Sequence, residues 1–219
     1  MSPREIVYAS GPVYGPEEVE SITALTSLLE TSGFDPYLPT RDGLPFMTSK
    51  AGDDAGHPDR PRALQVAAFA LDIFQIVDRC ECLLFSMNGR VPDHASTFRA
   101  AVAFRAGKPV VLYKRDHRSK LHGNDNAMII GLSFDFSTVT EPAAVPRRVA
   151  EAIREARSFE TGSRRQGVTP PPVSIVSELG SEVWESLRRF RDKGLEDEAV
   201  LLDELASMCR ASEAWRLYS

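Results

Sequence analysis

Two carboxylates, one phenol and one guanidinium stand where this sequence invites chemistry. Tyr8 lies in the apolar run EIVYASGP, where it is read as ending a strand. Asp72 sits in the helical stretch AAFALDIFQI, Asp93 precedes a helix in VPDHASTFRAAVAF, and Arg99 falls within that helix. A carboxylate in a site works as a general acid or base, or as a nucleophile. A guanidinium does neither, because it stays protonated at any ordinary pH and has no acceptor lone pair. Its natural task is to grip phosphate or carboxylate. Asp72 stands out because a charge on an apolar helix face costs free energy unless it is paired or wet. Besides a site, two plainer readings fit it: a core acid satisfied by a hydroxyl, or a solvent-facing position on an amphipathic helix.

These residues need elements to position them. EIVYASGP reads as a first strand ending at Gly11. GPEEVESITALTSLLETSG follows as a helix, with Pro16 in its first turn, Glu17 and Glu18 complementing its dipole, and Gly33 closing it. Ile22, Leu25, Leu28 and Leu29 supply its apolar face. FDPYLP reads as a second strand that Pro36 pushes to a sheet edge. Gly, Pro and Asp from Thr40 to about Arg60 mark a long loop. RPRALQVAAFALDIFQIVDR is the second helix, and ECLLFSMN a strand bounded by Asn88 and Gly89. PVVLYK is another strand, AMIIGLSFDFSTV is read as one more, and VPRRVAEAIREAR as a charged amphipathic helix.

Strands alternating with helices imply an α/β fold, a parallel sheet with helices on both faces. In such folds ligands bind beyond the carboxyl ends of the strands. Tyr8 to Gly11, Asn88 to Asp93 and the loop after Tyr113 are expected there. The chain divides by sequence into an α/β domain over 1–157, a linker over 158–172 and a helical appendage over 173–219. Pro170, Pro171 and Pro172 should be extended. The tail reads as two helices in a hairpin, whose Trp184, Leu187, Leu202, Leu205 and Trp215 must pack on the core domain or on a neighbouring subunit. There is no internal repeat.

Composition narrows the field. The 219 residues are 42% hydrophobic and 26% charged, with a net charge of -5. That balance argues against binding polymeric nucleic acid or an anionic membrane. No apolar run is long enough to span a bilayer and the start lacks a signal-peptide pattern, so a cytoplasmic location is expected. Cys80, Cys82 and Cys209 read as small buried side chains rather than a metal site or a disulfide framework. His117 and His122 read as solvated loop residues.

Taken in order, IVYASGP, ALDIFQIVDRCECLLFSM, PDHASTFRAAVAFRAGKPVVLY and NDNAMIIG resemble the nucleoside 2-deoxyribosyltransferase family, which includes related nucleotide N-glycosidases. The resemblance covers about residues 5 to 157. It implies a flavodoxin-like (Rossmann-like) fold, a nucleoside or nucleotide as ligand, no metal or organic cofactor, and a homodimer or higher homo-oligomer in which a neighbouring subunit completes the pocket. It gives Tyr8 the role of supporting the catalytic carboxylate, Asp72 that of managing the nucleobase proton, and Asp93 that of the acid near the sugar. Asn126 and Met128 match the N-x-M loop beside the site, and Gly11 falls in the strand-end binding turn.

The family pattern D-x-G-T-x-x-E-x-G then departs. Gly-Thr is Ala95-Ser96, the nucleophilic Glu is Arg99, and the next Gly is Ala101. No Asp or Glu lies between Asp93 and Asp116 to replace it. Charges about 4 Å apart interact by roughly 4 kcal/mol at an effective dielectric near 20, so reversing the sign costs about 8 kcal/mol, roughly a millionfold in rate. Three readings follow: binding of a nucleotide or other anion without covalent transfer, N-glycosidase action by direct water attack using Asp72 and Asp93, or a scaffold in which Arg99 pairs with an acid. A regulatory module acting through the C-terminal helices is a separate alternative.

Overall fold

The computed structural model describes residues 3–44, 60–89, 91–116, 118, 120, 125–133, 135–162, 171–192 and 198–218. Most of the expected loop from Thr40 to Arg60 lies outside these residues, as do His117, His122 and Pro170. The chain forms two compact units interleaved in sequence: 1–38 with 79–167, and 39–78 with 168–219. This division follows packing, whereas the expected segments 1–157, 158–172 and 173–219 follow the order of the chain.

The first unit is an α/β unit. Its sheet is parallel, in the order β2-β1-β3-β4, with β1 at Ile6–Ser10, β2 at Asp35–Tyr37, β3 at Cys82–Ser86 and β4 at Val110–Tyr113. This is the flavodoxin-like order, in which the chain moves outward from β1 first one way and then the other. Val7 pairs with Pro36 on one side and Cys82 on the other, and Leu83 pairs with Val110. β1 and β3 are buried and nearly uninterrupted in apolar residues, as a sheet covered on both faces requires. β2 carries Pro36 at the edge, as expected, where a missing N–H costs least.

Alternation along the strands sorts the two faces. Val7, Ala9, Cys82, Leu84, Val111 and Tyr113 pack with Ile22, Leu25 and Leu29 of α1 (Pro16–Thr31) and with Val145, Val149, Ala152 and Ile153 of the late helix 145–162. Tyr8, Leu83, Phe85, Val110 and Leu112 therefore point the other way. Helix 94–105 packs on that face through Ala100 and Ala103, both fully buried. In α1 the buried face includes Thr26, whose hydroxyl donates to Ile22 O at 2.7 Å, while Leu28 is half-exposed.

Glu18 starts α1 by accepting from the backbone N–H groups of Tyr14 and Gly15 at 2.9 and 3.0 Å. Gly33, at φ +94, closes it in the left-handed region.

The expected strand AMIIGLSFDFSTV is not one. Asn126 caps a short helix at Ala127–Ile130, accepting from Met128 N at 2.9 Å, and Gly131 follows it. Only Val139 pairs with β4, in one parallel bridge to Tyr113. A local Asn cap outcompetes sheet pairing here. Cys80, Cys82 and Cys209 are free and buried, and burial pushes the Cys80 and Cys209 thiols up to about 12.

The second unit is helical. After a short turn, α2 (Pro39–Asp42), come α3 (Arg60–Phe74) with a π-helical turn at Gln75–Arg79, the helix Pro171–Asp192, and then Glu198–Ala211 and Glu213–Tyr218. In chain order α4 is His94–Arg105, α5 Ala127–Ile130, α6 Val145–Gly162, and these last three are α7, α8 and α9. The tail thus packs on α3, which supplies the surface that its apolar residues need. Leu187, Leu202 and Leu205 are buried there, Trp184 and Trp215 half-buried, and the Arg62 guanidinium lies 5.5 Å from the Trp215 ring centre.

Pro171 and Pro172 open α7 rather than extending, since the first helical turn has no N–H to lose. The last expected helix breaks at Ser212. Its hydroxyl donates to Cys209 O at 2.6 Å and accepts from Trp215 N at 3.2 Å, ending α8 and capping α9. No helix among the described residues is long and apolar enough to cross a membrane.

Candidate functional site

The strand order reverses between β1 and β3, and in folds of this kind ligands bind beyond the carboxyl ends of the strands at that point. Ser10 ends β1 and Ser86 ends β3, both buried. Gly11 follows Ser10 in very close approach to β3: a Cβ added there would stand 2.9 Å from Ser86 Cβ. Gly11 thus has a packing reason to be glycine.

The centre of this edge is Asp93. Its side chain is 7% exposed, and both oxygens are engaged. Oδ2 accepts from Ser96 N at 2.6 Å, which makes Asp93 the N-cap of α4, and Oδ1 accepts from the Tyr14 hydroxyl at 2.8 Å. Ser10 Oγ in turn donates to Ser96 Oγ at 2.9 Å, tying the end of β1 to the first turn of α4. Burial alone would raise the Asp93 carboxyl. Hydrogen bonding from Ser96 and Tyr14, with the field of Arg99, outweighs that and holds it below the ordinary carboxylate range. The same bond to Asp93 raises the Tyr14 phenol.

Arg99 is half-buried on α4, and its charge acts on both Asp93 and Tyr14. The sequence stretch around Asp93 therefore does bring an anion and a cation to one place.

The loops after β3 and β4 are laced together beside it. Asn88 Oδ1 accepts from Arg115 N and Asp116 N at 2.8 and 3.2 Å, and Asp116 Oδ2 accepts from Gly89 N at 3.1 Å. Gly89, at φ +119, makes a turn that side chains resist. The Arg118 guanidinium, with the backbone N–H groups of Arg118 and Gly89, holds the Asp116 carboxyl far below its usual range. Lys114, buried just past β4, is ion-paired with Asp125, the residue before Asn126.

The remaining expected residues are distributed as follows. Tyr8 is the middle residue of β1 rather than its end, fully buried, its ring tilted 41° to Tyr37 at 5.3 Å. Ser10 takes the strand end that Tyr8 was expected to hold. Asn126 is exposed and its recorded bond is the α5 cap, while Met128 is 81% exposed. Asp72 is half-buried on α3, in the helical unit. Tyr14, Ser10 and Lys114 were not singled out from the sequence, and Ser96 was noted only as a departure from the family pattern. The available signal for Tyr14 was an aromatic in a Gly/Pro loop, GPVYGP, directly after the first strand.

A sequence model described as nucleoside 2-deoxyribosyltransferase matches residues 7–133, more than half the chain. No curated protein matches the chain. Among solved structures, the chain is similar to a conserved protein from Enterococcus faecalis V583, at 18% identity and a TM-score of 0.47, over 70% of this chain and 99% of that one. The family match spans β1, the Asp93 turn, α4 and the Asn126 loop in one continuous stretch. This chain belongs to the nucleoside 2-deoxyribosyltransferase family.

Proposed function

We propose that this protein binds a nucleoside or nucleotide at the carboxyl edge of β1 and β3 without the covalent glycosyl transfer of its family. The observation that supports this reading is the Arg99 guanidinium on α4, whose field reaches Asp93 and Tyr14; the sequence resemblance aligns it with the family's nucleophile. A retaining glycosyl transfer needs a carboxylate to attack C1′ and to stabilise positive charge on the sugar. Arg99 supplies neither and opposes that charge.

Asp93 does not fill the gap. Its two oxygens are committed to Ser96 and Tyr14, and its depressed pKa makes it a poor proton donor and a weak base at neutral pH. Its chemistry suits orientation: it fixes the Tyr14 hydroxyl while leaving the ring 80% exposed, a surface on which a flat base can lie. Arg99 fits an anionic group on the ligand. The alternative is an N-glycosidase that uses Asp72 and Asp93 with water. It keeps the two acids purposeful but asks of Asp93 a proton transfer that its bonds disfavour.

Variants of Arg99 test the assignment. Arg99→Ala should weaken binding of a nucleoside monophosphate about tenfold, the scale of one charge-assisted hydrogen bond, and affect the unphosphorylated nucleoside less. Arg99→Glu should gain measurable base release. Equal affinities for both ligands in wild type and Arg99→Ala would remove Arg99 from the site.

A further inference from the structure

The helical unit carries a groove that the nucleotide reading does not use. Two clefts of about 290 and 350 Å³ run along α7 and meet at Glu182 and Met208. The first cleft has an apolar floor of Ile175, Leu179, Met208 and Ala214. Met208 carries it into the second cleft, which is otherwise lined by Ser181, Glu182, Glu185 and Arg189. Their rim is acidic, with Glu178, Glu182 and Glu213 around the first cleft and Glu185 along the second.

The charges on this rim are unbalanced. Arg189, the basic residue lining the second cleft, is paired with Glu204 at 3.0 Å, and Glu185 is paired with Arg188 at 2.8 Å. Among the described residues, Glu178, Glu182 and Glu213 make no ion pair, and all three are exposed. Glu178, Glu182 and Glu185 stand at helical spacing, so they form one stripe along α7.

We propose that this groove docks a basic amphipathic helix of a partner protein. The lining residues from Ile175 to Arg189 span about 21 Å of α7, at roughly 1.5 Å per residue, the length of about four helical turns. A helix lying there would set its apolar anchors on the floor of the first cleft and on Met208, with Lys or Arg against the three carboxylates. The charge pattern selects for that partner, because an acidic or neutral helix would leave the carboxylates facing like charge or buried without a counter-ion. The groove uses no residue of the Asp93 site, so the proposal stands apart from the nucleotide reading.

The test uses the full chain and a fluorescent Leu/Lys peptide of about 18 residues, roughly five turns, with leucines at helical spacing. Controls are the same composition arranged with a period of two, and a Leu/Glu counterpart. The expected result is saturable binding of the helical Leu/Lys peptide alone, weakening with added salt and falling at least about tenfold in the double variant Glu178→Lys with Glu182→Lys. Both positions are exposed, so the variant should retain its circular dichroism and thermal midpoint, and Met208→Asp provides an independent lesion of the floor. Three outcomes would overturn the proposal: no binding, equal binding of the period-two peptide, or affinity unchanged in both variants. So would a change in sedimentation mass in the double variant, which would assign the groove to a second copy of this chain.

Discussion

Asp93 is where charge and structure meet most closely, and its behaviour with pH is predictable in sign. Its folded pKa is depressed, so its charge stabilises the fold above the unfolded carboxylate value near 4, and that contribution is lost as pH falls through the lower folded value. Asparagine keeps the capping geometry but not the charge. The stability gap between wild type and Asp93→Asn should thus be widest near neutral pH and close progressively below pH about 4, as read from chemical denaturation across pH. Asp93→Ala removes the cap as well and should cost about 1–2 kcal/mol at pH 7. A gap that did not change with pH would mean that Asp93 is not held as an anion.

At this scale the sequence was legible where motif order carried the information. Asp93 precedes α4 and Arg99 lies on it, as the local pattern placed them, while Tyr14 escaped because its partner Asp93 is 79 residues away, and Lys114 because its ion pair reaches across a loop to Asp125.

At the scale of elements, the apolar pattern placed most helices and strands and failed at one ambiguous run and at the prolines of the tail. Helices α1, α4 and α6 and strands β1, β3 and β4 lie where the apolar pattern put them. The run AMIIGLSFDFSTV failed because a short apolar stretch fits a strand or a helical turn equally, and Asn126 decided it locally. Pro171 and Pro172 failed because proline both stiffens extended chain and opens helices.

Gly180 was the overlooked signal in the tail, a glycine in the interior of a helical pattern. It lies where α7 crosses α3 so closely that an added Cβ would stand 2.0 Å from Ala70 O and 2.6 Å from Phe74 Cβ. Alanine normally stabilises a helix interior by about 1 kcal/mol over glycine. Here the clash is with backbone, and Gly180→Ala should instead lose roughly 1–3 kcal/mol, the usual cost of overpacking. A raised denaturation midpoint would contradict the close crossing.

The whole molecule is less modular than its sequence. A proline-bearing linker suggests a detachable tail, yet α7 and α8 pack on α3, which lies in the chain between β2 and β3. Chain order cannot reveal that partnership, because each helix shows only which face is apolar and not what covers it. Truncation after Gly162 should therefore strip the cover from α3 and leave aggregated or non-cooperative protein, judged by soluble yield and thermal unfolding. A truncated chain that unfolded cooperatively within a few degrees of the full protein would contradict this coupling. The family assignment rests on the continuous match over residues 7–133, and the proposed loss of covalent transfer rests on Arg99.

The most direct test of the central claim measures binding and chemistry in the same wild-type samples. Purified protein is titrated with a panel of nucleosides and nucleoside monophosphates by calorimetry, and each sample is then assayed for free base by chromatography. The expected result is saturable binding to at least one member, with no base released above the uncatalysed background. Catalytic base release by the wild type, abolished by Asp72→Ala, would contradict it.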